Sequence, residues 1–205
     1  MLVVLRAEQP RSLIPRLERL DQLGIRHVEI AWSTAPGWSA QCLELGLAFP
    51  NLLLGAASIC SLEALEASAQ AGLSYGVSPV LNRRLLERGR QLGLTLVPGV
   101  FSPTEVAQAQ AWGCAVVKLF PAITLGPHYW QRLAAPLAPL PFCIAAGGLA
   151  PRDVPQWLAA GVDAVALGAS LADPNAADPD SWHELQQWLA TRPAGLTRGC
   201  TAPGA

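Results

Sequence analysis

Charge is what this sequence has least of: 14 Lys and Arg stand against 15 Asp and Glu in 205 residues, for a formal net charge of −1 and a pI near 6.3. With no basic stripe and no Lys/Arg cluster interleaved with aromatics, a primary role in binding nucleic acid is excluded. Cysteine is sparse and odd in number. Cys42, Cys60, Cys114, Cys143 and Cys200 include no C-x-x-C pair, so neither a disulfide framework nor a zinc site is signalled, and buried reduced thiols are expected. His27, His128 and His183 show no ligand spacing. The longest uncharged stretch, residues 133–151, is broken as a membrane span by Pro136, Pro139, Pro141, Gly147 and Gly148. Met1–Leu5 runs into an apolar segment without a basic leader or small-residue cleavage site, so a cytoplasmic location and no membrane partner are expected.

What the chain does have is apolar residues, at 51%, arranged as short runs alternating with longer amphipathic stretches. Strands are expected at 2–6, 27–33, 52–59, 73–80, 95–100, 115–121, 141–146 and 164–168. Helical patterns at 11–23, 62–71, 82–92 and 152–160 fall between them, and Gly24, Gly72, Gly93, Gly113 and Gly161 are the expected helix stops. A β-α repeat sustained this long, at roughly 25 residues per unit, predicts one α/β domain over residues 1–191: a closed, eight-stranded parallel β/α barrel rather than an open doubly wound sheet. Residues 172–180 read as a turn-rich connection and 182–190 as a last helix. The tail, 192–205, has little to bury, which leaves two readings, disorder or docking on a neighbouring subunit.

Catalytic groups of such barrels sit at the C-terminal ends of the strands. Few polar residues interrupt the expected strands there: Arg6 on the first, Glu29 on the second, Ser58 on the third and Lys118 on the sixth. A buried Glu and Lys without partners are costly, so they form either a structural ion pair or a reactive pair. A pair kept for stability alone is the weaker explanation, since apolar replacements are often neutral or better. A desolvated lysine has a depressed pKa, which frees its lone pair to attack a ketone, while a nearby carboxylate moves protons. Glycine turns follow the last two strands, at Gly147-Gly148 and at Gly168-Ala169-Ser170. Their place matches the backbone phosphate site that barrels build after strands seven and eight. Trp32 and Trp38 near the end of the second strand read as packing residues.

Placed in this way, the sequence resembles the 2-keto-3-deoxy-6-phosphogluconate aldolases, the family shared with 4-hydroxy-2-oxoglutarate aldolase, over nearly all of residues 1–171. His27-Val28-Glu29-Ile30 resembles the family's strand-two motif, and Val117-Lys118-Leu119-Phe120-Pro121 its strand-six motif. Val4-Leu5-Arg6-Ala7, Gly55-Ala56-Ala57-Ser58, Ser78-Pro79 and Val97-Pro98-Gly99-Val100 are similar in the family's order, and Gly126-Pro127-His128-Tyr129 resembles the family's loop after strand six. The resemblance implies a class I aldolase that works as a homotrimer without metal or organic cofactor. It would cleave a phosphorylated keto-deoxy sugar acid to pyruvate and glyceraldehyde 3-phosphate. Lys118 would form the Schiff base, Glu29 would be the general acid/base, and Phe120 would pack beside the imine. Arg6, Ser33, Ser58, Pro79, Gly147, Gly148, Gly168, Ala169 and Ser170 would complete the substrate site. The chain departs from the family pattern at Ser33, where many members carry Arg, at Ala57-Ser58 in place of Gly-Thr, and at Ala146 in place of Thr. Two other readings stay open: a phosphate-binding isomerase or epimerase that uses Glu29 as base and Lys118 electrostatically, and a non-catalytic barrel that binds a phosphorylated metabolite.

Overall fold

Successive residues of a strand point to opposite faces, so strands that are apolar at nearly every position need cover on both. The computed structural model, which describes residues 1–168, Leu171 and residues 179–191, supplies that cover. Its parallel strands are β1 (Leu2–Leu5), β2 (His27–Ala31), β3 (Leu53–Ala57), β4 (Tyr75–Val77), β5 (Thr95–Val97), β6 (Gly99–Val100), β7 (Val116–Leu119), β8 (Phe142–Ala146) and β9 (Ala164–Leu167). They form one nine-stranded sheet in the order β5-β4-β3-β2-β1-β9-β8-β7-β6, a nearly closed barrel whose two ends are consecutive in the chain.

Nine strands stand where eight were expected because the run at 95–100 is divided at Pro98. Proline has no N–H to give a ladder. Its carbonyl still accepts from Lys118 N at 2.8 Å, while on the other side Ser78 N donates to Val97 O at 2.9 Å. The segment before Pro98 thus pairs with β4 and the segment after it with β7. At Gly99 the wall is tight: a Cβ there would lie 2.3 Å from the carbonyl of Pro79, so only glycine lets the two backbones approach.

The two faces of the wall differ in composition. Outward residues such as Val3, Leu5, Val28, Ile30, Val117, Leu119, Val165 and Leu167 join the main core beneath the helices. The helix layer comprises α1 (Ile14–Gln22), α2 (Trp38–Ala48), α3 (Leu62–Gln70), α4 (Arg83–Gln91), α5 (Pro103–Ala111), α6 (Ala122–Leu125), α7 (Tyr129–Leu137), α8 (Val154–Ala159) and α9 (Pro179–Thr191). Ser61, Asn82 and Ser102 cap α3, α4 and α5 with side-chain oxygens, the last as a full capping box with Glu105. The five expected glycine stops each fall two residues past a helix end.

The inner face holds a smaller cluster in which Leu2, Val77, Val97 and Ile144 alternate with Ala146, Ala164 and Ala166. Two sequence expectations change. The first helical pattern begins with a short 3-10 turn, Pro10–Leu13, before α1, and Cys60 is exposed, whereas Cys42 and Cys143 are buried as expected. Ala169, Ser170, Cys200 and the tail from residue 192 lie outside the described residues.

Candidate active site

Glu29 and Lys118 come from opposite walls of the ring. Along one row of the ladder Glu29 pairs with Gly55, Gly55 with Tyr75 and Tyr75 with Thr95; four residues further on, Gly99 pairs with Lys118. A barrel with a total shear of roughly eight residues staggers by half of that over half its circumference. The two charged residues therefore stand at one level and face each other across the interior.

Both are buried, Glu29 at 1% exposure and Lys118 at 7%. Burial lifts the Glu29 carboxyl to about 7, against the opposing pull of Lys118. Burial also lowers the Lys118 amine, an effect that Glu29 partly offsets and that the charge of Arg6 reinforces. Glu29 Oε2 nevertheless has no hydrogen-bond partner, and Lys118 Nζ sits 4.7 Å from the centre of the Phe120 ring. Near neutral pH such a site offers a carboxyl that can both take and give a proton, beside an amine with an enlarged neutral fraction.

Above this pair, Arg6 Nη2 donates to Ser58 Oγ at 3.0 Å. Arg6 follows β1 and Ser58 follows β3, so their bond bridges the end of β2, which carries Glu29. Ser58 holds a φ of +63°, rare for a residue with a side chain. On the opposite rim Gly147 and Gly148 have φ of +95° and +81°. A Cβ at Gly147 would come within 2.8 Å of the Phe120 ring, and one at Gly148 within 2.5 Å of Ile123, so both glycines admit neighbours against bare backbone.

Residues 1–188 match a family model described as KDPG and KHG aldolase. The chain belongs to the KDPG and KHG aldolase family. It is 28% identical over 172 residues to 2-dehydro-3-deoxy-6-phosphogalactonate aldolase of Escherichia coli strain K12, covering 83% of each chain. It is 27% identical over 189 residues to 2-dehydro-3-deoxy-phosphogluconate aldolase of Pseudomonas aeruginosa, with 91% of this chain and 84% of that one covered. A solved native KDPGal structure superposes with a TM-score of 0.78 at 27% identity, over 92% of this chain and 90% of that one. The chain is thus an aldolase, a carbon–carbon lyase.

Within this aldolase the expected site residues divide into those the barrel gathers and those it does not. Arg6, Glu29, Ser58, Lys118, Phe120 and Gly147 surround the interior at its C-terminal end. Gly148 and Gly168 lie on the same rim, and Gly168 O accepts from Leu171 N at 2.9 Å. Pro79 follows β4 and packs its backbone against Gly99. Ser33 is turned to other work: its hydroxyl donates to Glu8 O at 3.3 Å and accepts from Ala35 N at 3.4 Å, organising the loop after β2. Trp38 is buried and donates Nε1 to Ala31 O, with Trp32 edge-on at 5.0 Å, so this pair packs.

Two surface hollows, of about 390 and 210 Å³, lie on the flank of the barrel around Arg90 and Gly113 and contain no buried charge. They are remote in kind from the mouth. No helix of the described residues is long and apolar enough to cross a membrane, and no group of three metal-ligating side chains occurs among them. Sequence reasoning missed Tyr75, whose hydroxyl is buried inside the barrel, and the role of Gly55 beneath its ring. The signal was present: an isolated glycine within a strand marks a close approach.

Proposed function

We propose that Lys118 is the Schiff-base lysine of a class I aldolase that cleaves a phosphorylated 2-keto-3-deoxy sugar acid to pyruvate and glyceraldehyde 3-phosphate. The neutral amine adds to the C2 carbonyl to give a carbinolamine, which loses water to form the imine. Glu29 supplies the proton for that loss. Deprotonated, it then takes the proton of the C4 hydroxyl as the C3–C4 bond breaks, the aldehyde leaves, and the electron pair moves into the enamine. Protonation at C3 and hydrolysis of the imine by water release pyruvate and restore the amine.

One observation carries this reading above the others: Glu29 and Lys118 are buried, face each other and act on each other's charge, yet no salt bridge joins them. A structural ion pair would close that contact, because an unpaired buried carboxylate oxygen is costly. The space between them is where a ketone would sit. With Ser33 engaged elsewhere and no hydroxyl at Ala146, Arg6 held by Ser58 is the group fitted to the substrate carboxylate. Phe120 flanks the imine, and the backbone at Gly147, Gly148, Gly168, Ala169 and Ser170 receives the phosphate. The working form is a homotrimer, in keeping with the family resemblance, without metal or organic cofactor.

The test is reduction by borohydride in the presence of labelled pyruvate, which converts an imine into a stable secondary amine. Wild type should carry the label on Lys118, and Lys118→Arg, which keeps the charge but provides no neutral amine, should carry none. Lys118 is the sole lysine of the sequence, so equal labelling of the two would put the label on the N-terminal amine or make it non-specific, and no lysine imine would remain. An unlabelled wild type that still turns over a sugar phosphate would favour the isomerase reading.

A further inference from the structure

Tyr75 takes no part in the chemistry above, although its hydroxyl is buried within the barrel and has no hydrogen-bond partner. Its position depends on a glycine. Gly55 stands between Glu29 and Tyr75 in the same row of the ladder, pairing with both. A Cβ on Gly55 would lie 2.5 Å from Cε2 and from Cζ of Tyr75, the carbon that bears the hydroxyl. A ring rooted on β4 therefore crosses the bare backbone of β3, carrying its oxygen toward β2 and Glu29. The ring also has His27 on one side, 6.0 Å away. Along this route lie two buried polar atoms that lack partners, the Tyr75 hydroxyl and Glu29 Oε2. Left unpaired, each is costly, and one donor with one acceptor is the combination that removes both penalties together.

We propose that Tyr75 is a positioning residue for Glu29: its hydroxyl donates to Glu29 Oε2, through a small side-chain rotation or one buried water, and holds the carboxyl toward Lys118 from below. This rests on the reading of Glu29 as the acid/base of the aldolase. The groups facing Glu29 are Lys118 from β7 and Tyr75 from β4; Arg6 and Cys60 act on Lys118 from the rim, and His27 lies beyond the Tyr75 ring. Glu29 and Tyr75 already sense each other electrostatically, the carboxylate disfavouring the phenolate after burial has done most of that. A phenol that stays protonated is a dependable donor. A donor to the ionised carboxylate favours ionisation, so it moderates the rise that burial imposes and keeps Glu29 able to act as base. If Tyr75 were only filling space, phenylalanine would serve as well and would remove a polar orphan.

Tyr75→Phe tests this with two measurements. The first is the pH profile of kcat, whose acidic limb should move upward by roughly one unit while kcat falls and KM changes little. The second needs no turnover: the carboxyl stretching band assigned to Glu29 by its loss in Glu29→Gln is titrated by infrared spectroscopy. Its midpoint should rise in Tyr75→Phe and fall when 3,5-difluorotyrosine, a stronger donor of nearly the same shape, replaces Tyr75. A band midpoint unchanged in both variants would overturn the proposal, and an unchanged pH profile with a gain in thermal stability would do the same. Failure of wild type to trap pyruvate would instead refute the aldolase role of Glu29, while the infrared titration would still decide whether Tyr75 bonds to it.

Discussion

The outer and inner faces of the same strands obey different rules. Outward residues such as Leu5, Val28, Ile30 and Leu119 are fully buried against helices and carry no polar atom on their side chains. Inward residues one position away include Glu29, Lys118, Tyr75, Gly55 and Gly99, beside a small apolar cluster of Leu2, Val77, Val97, Ile144 and three alanines. The outer face is a packed interior in the ordinary sense, in which volume decides stability. The inner face keeps charges and bare backbone where a stability-driven core would place Val and Leu, so its composition is explained by what must fit and react there.

The sharpest break in this comparison is a pair of substitutions. Lys118→Met should lower aldol cleavage by on the order of 10⁴-fold or more while the barrel still folds, because the Glu29 carboxyl, already raised to about 7 by burial, can take up a proton when its partner charge is gone. Leu17→Ala, on the helix side where Leu17 is 0% exposed, should do the reverse, costing about 2–5 kcal/mol of stability with little change in kcat per folded molecule. Thermal unfolding and turnover measured on both proteins check it. A Lys118→Met protein that unfolds readily would make the inner pair structural.

Glu29→Gln separates the faces by pH. In the folded protein the carboxyl is raised to about 7 from 4.5, so the fold binds its proton more tightly than the unfolded chain does. Its penalty is absent below about 4.5, grows as pH rises and is complete above about 7. Relative to wild type, Glu29→Gln should therefore be equally stable near pH 4 and more stable near pH 8, by up to about 3 kcal/mol, in denaturant titrations. Its kcat should fall by roughly 10²–10⁴-fold. A stability difference that did not vary with pH would remove the buried carboxyl from the account.

The smallest effect is expected at the rim. Gly147→Ala places a methyl group against Phe120 and imposes a positive φ on a residue with a side chain, at a cost of about 1–2 kcal/mol. The displaced ring should raise KM for the keto acid several-fold while borohydride labelling of Lys118 persists. Unchanged KM would detach Phe120 from substrate binding.

Much of the outer face was legible in the sequence, because apolar runs, amphipathic periods and helix-stopping glycines are local signals that survive folding unchanged, but α2 and the Pro136-containing α7 were not among the helices read there. Glu29 and Lys118 were legible for a related reason: each interrupts an apolar run where a charge has no routine place. Other features were hidden. Ser33 stood in the expected place, but its hydroxyl is held by Glu8 and Ala35, a choice made by the loop's backbone. The division of the fifth strand and the reach of Tyr75 across Gly55 depend on how closely two backbones approach, and a one-letter string records that only as an isolated Pro or Gly.

The joint at Pro98 also fixes alignment. Elsewhere around the ring, neighbouring strands are held by hydrogen bonds, whose partners can in principle be exchanged by a slip of two residues. At Pro98 the two ends of the ladder are successive residues of one chain, so their offset is set by covalent bond lengths and admits no slip. In a closed ring, a slip at any other seam has to be matched by an opposite slip elsewhere to keep the same total offset. The route from Glu29 to Lys118 through β3, β4 and the joint thus works as a fixed ruler: the carboxyl and the amine are kept level by the connectivity of the chain as well as by the packing around them.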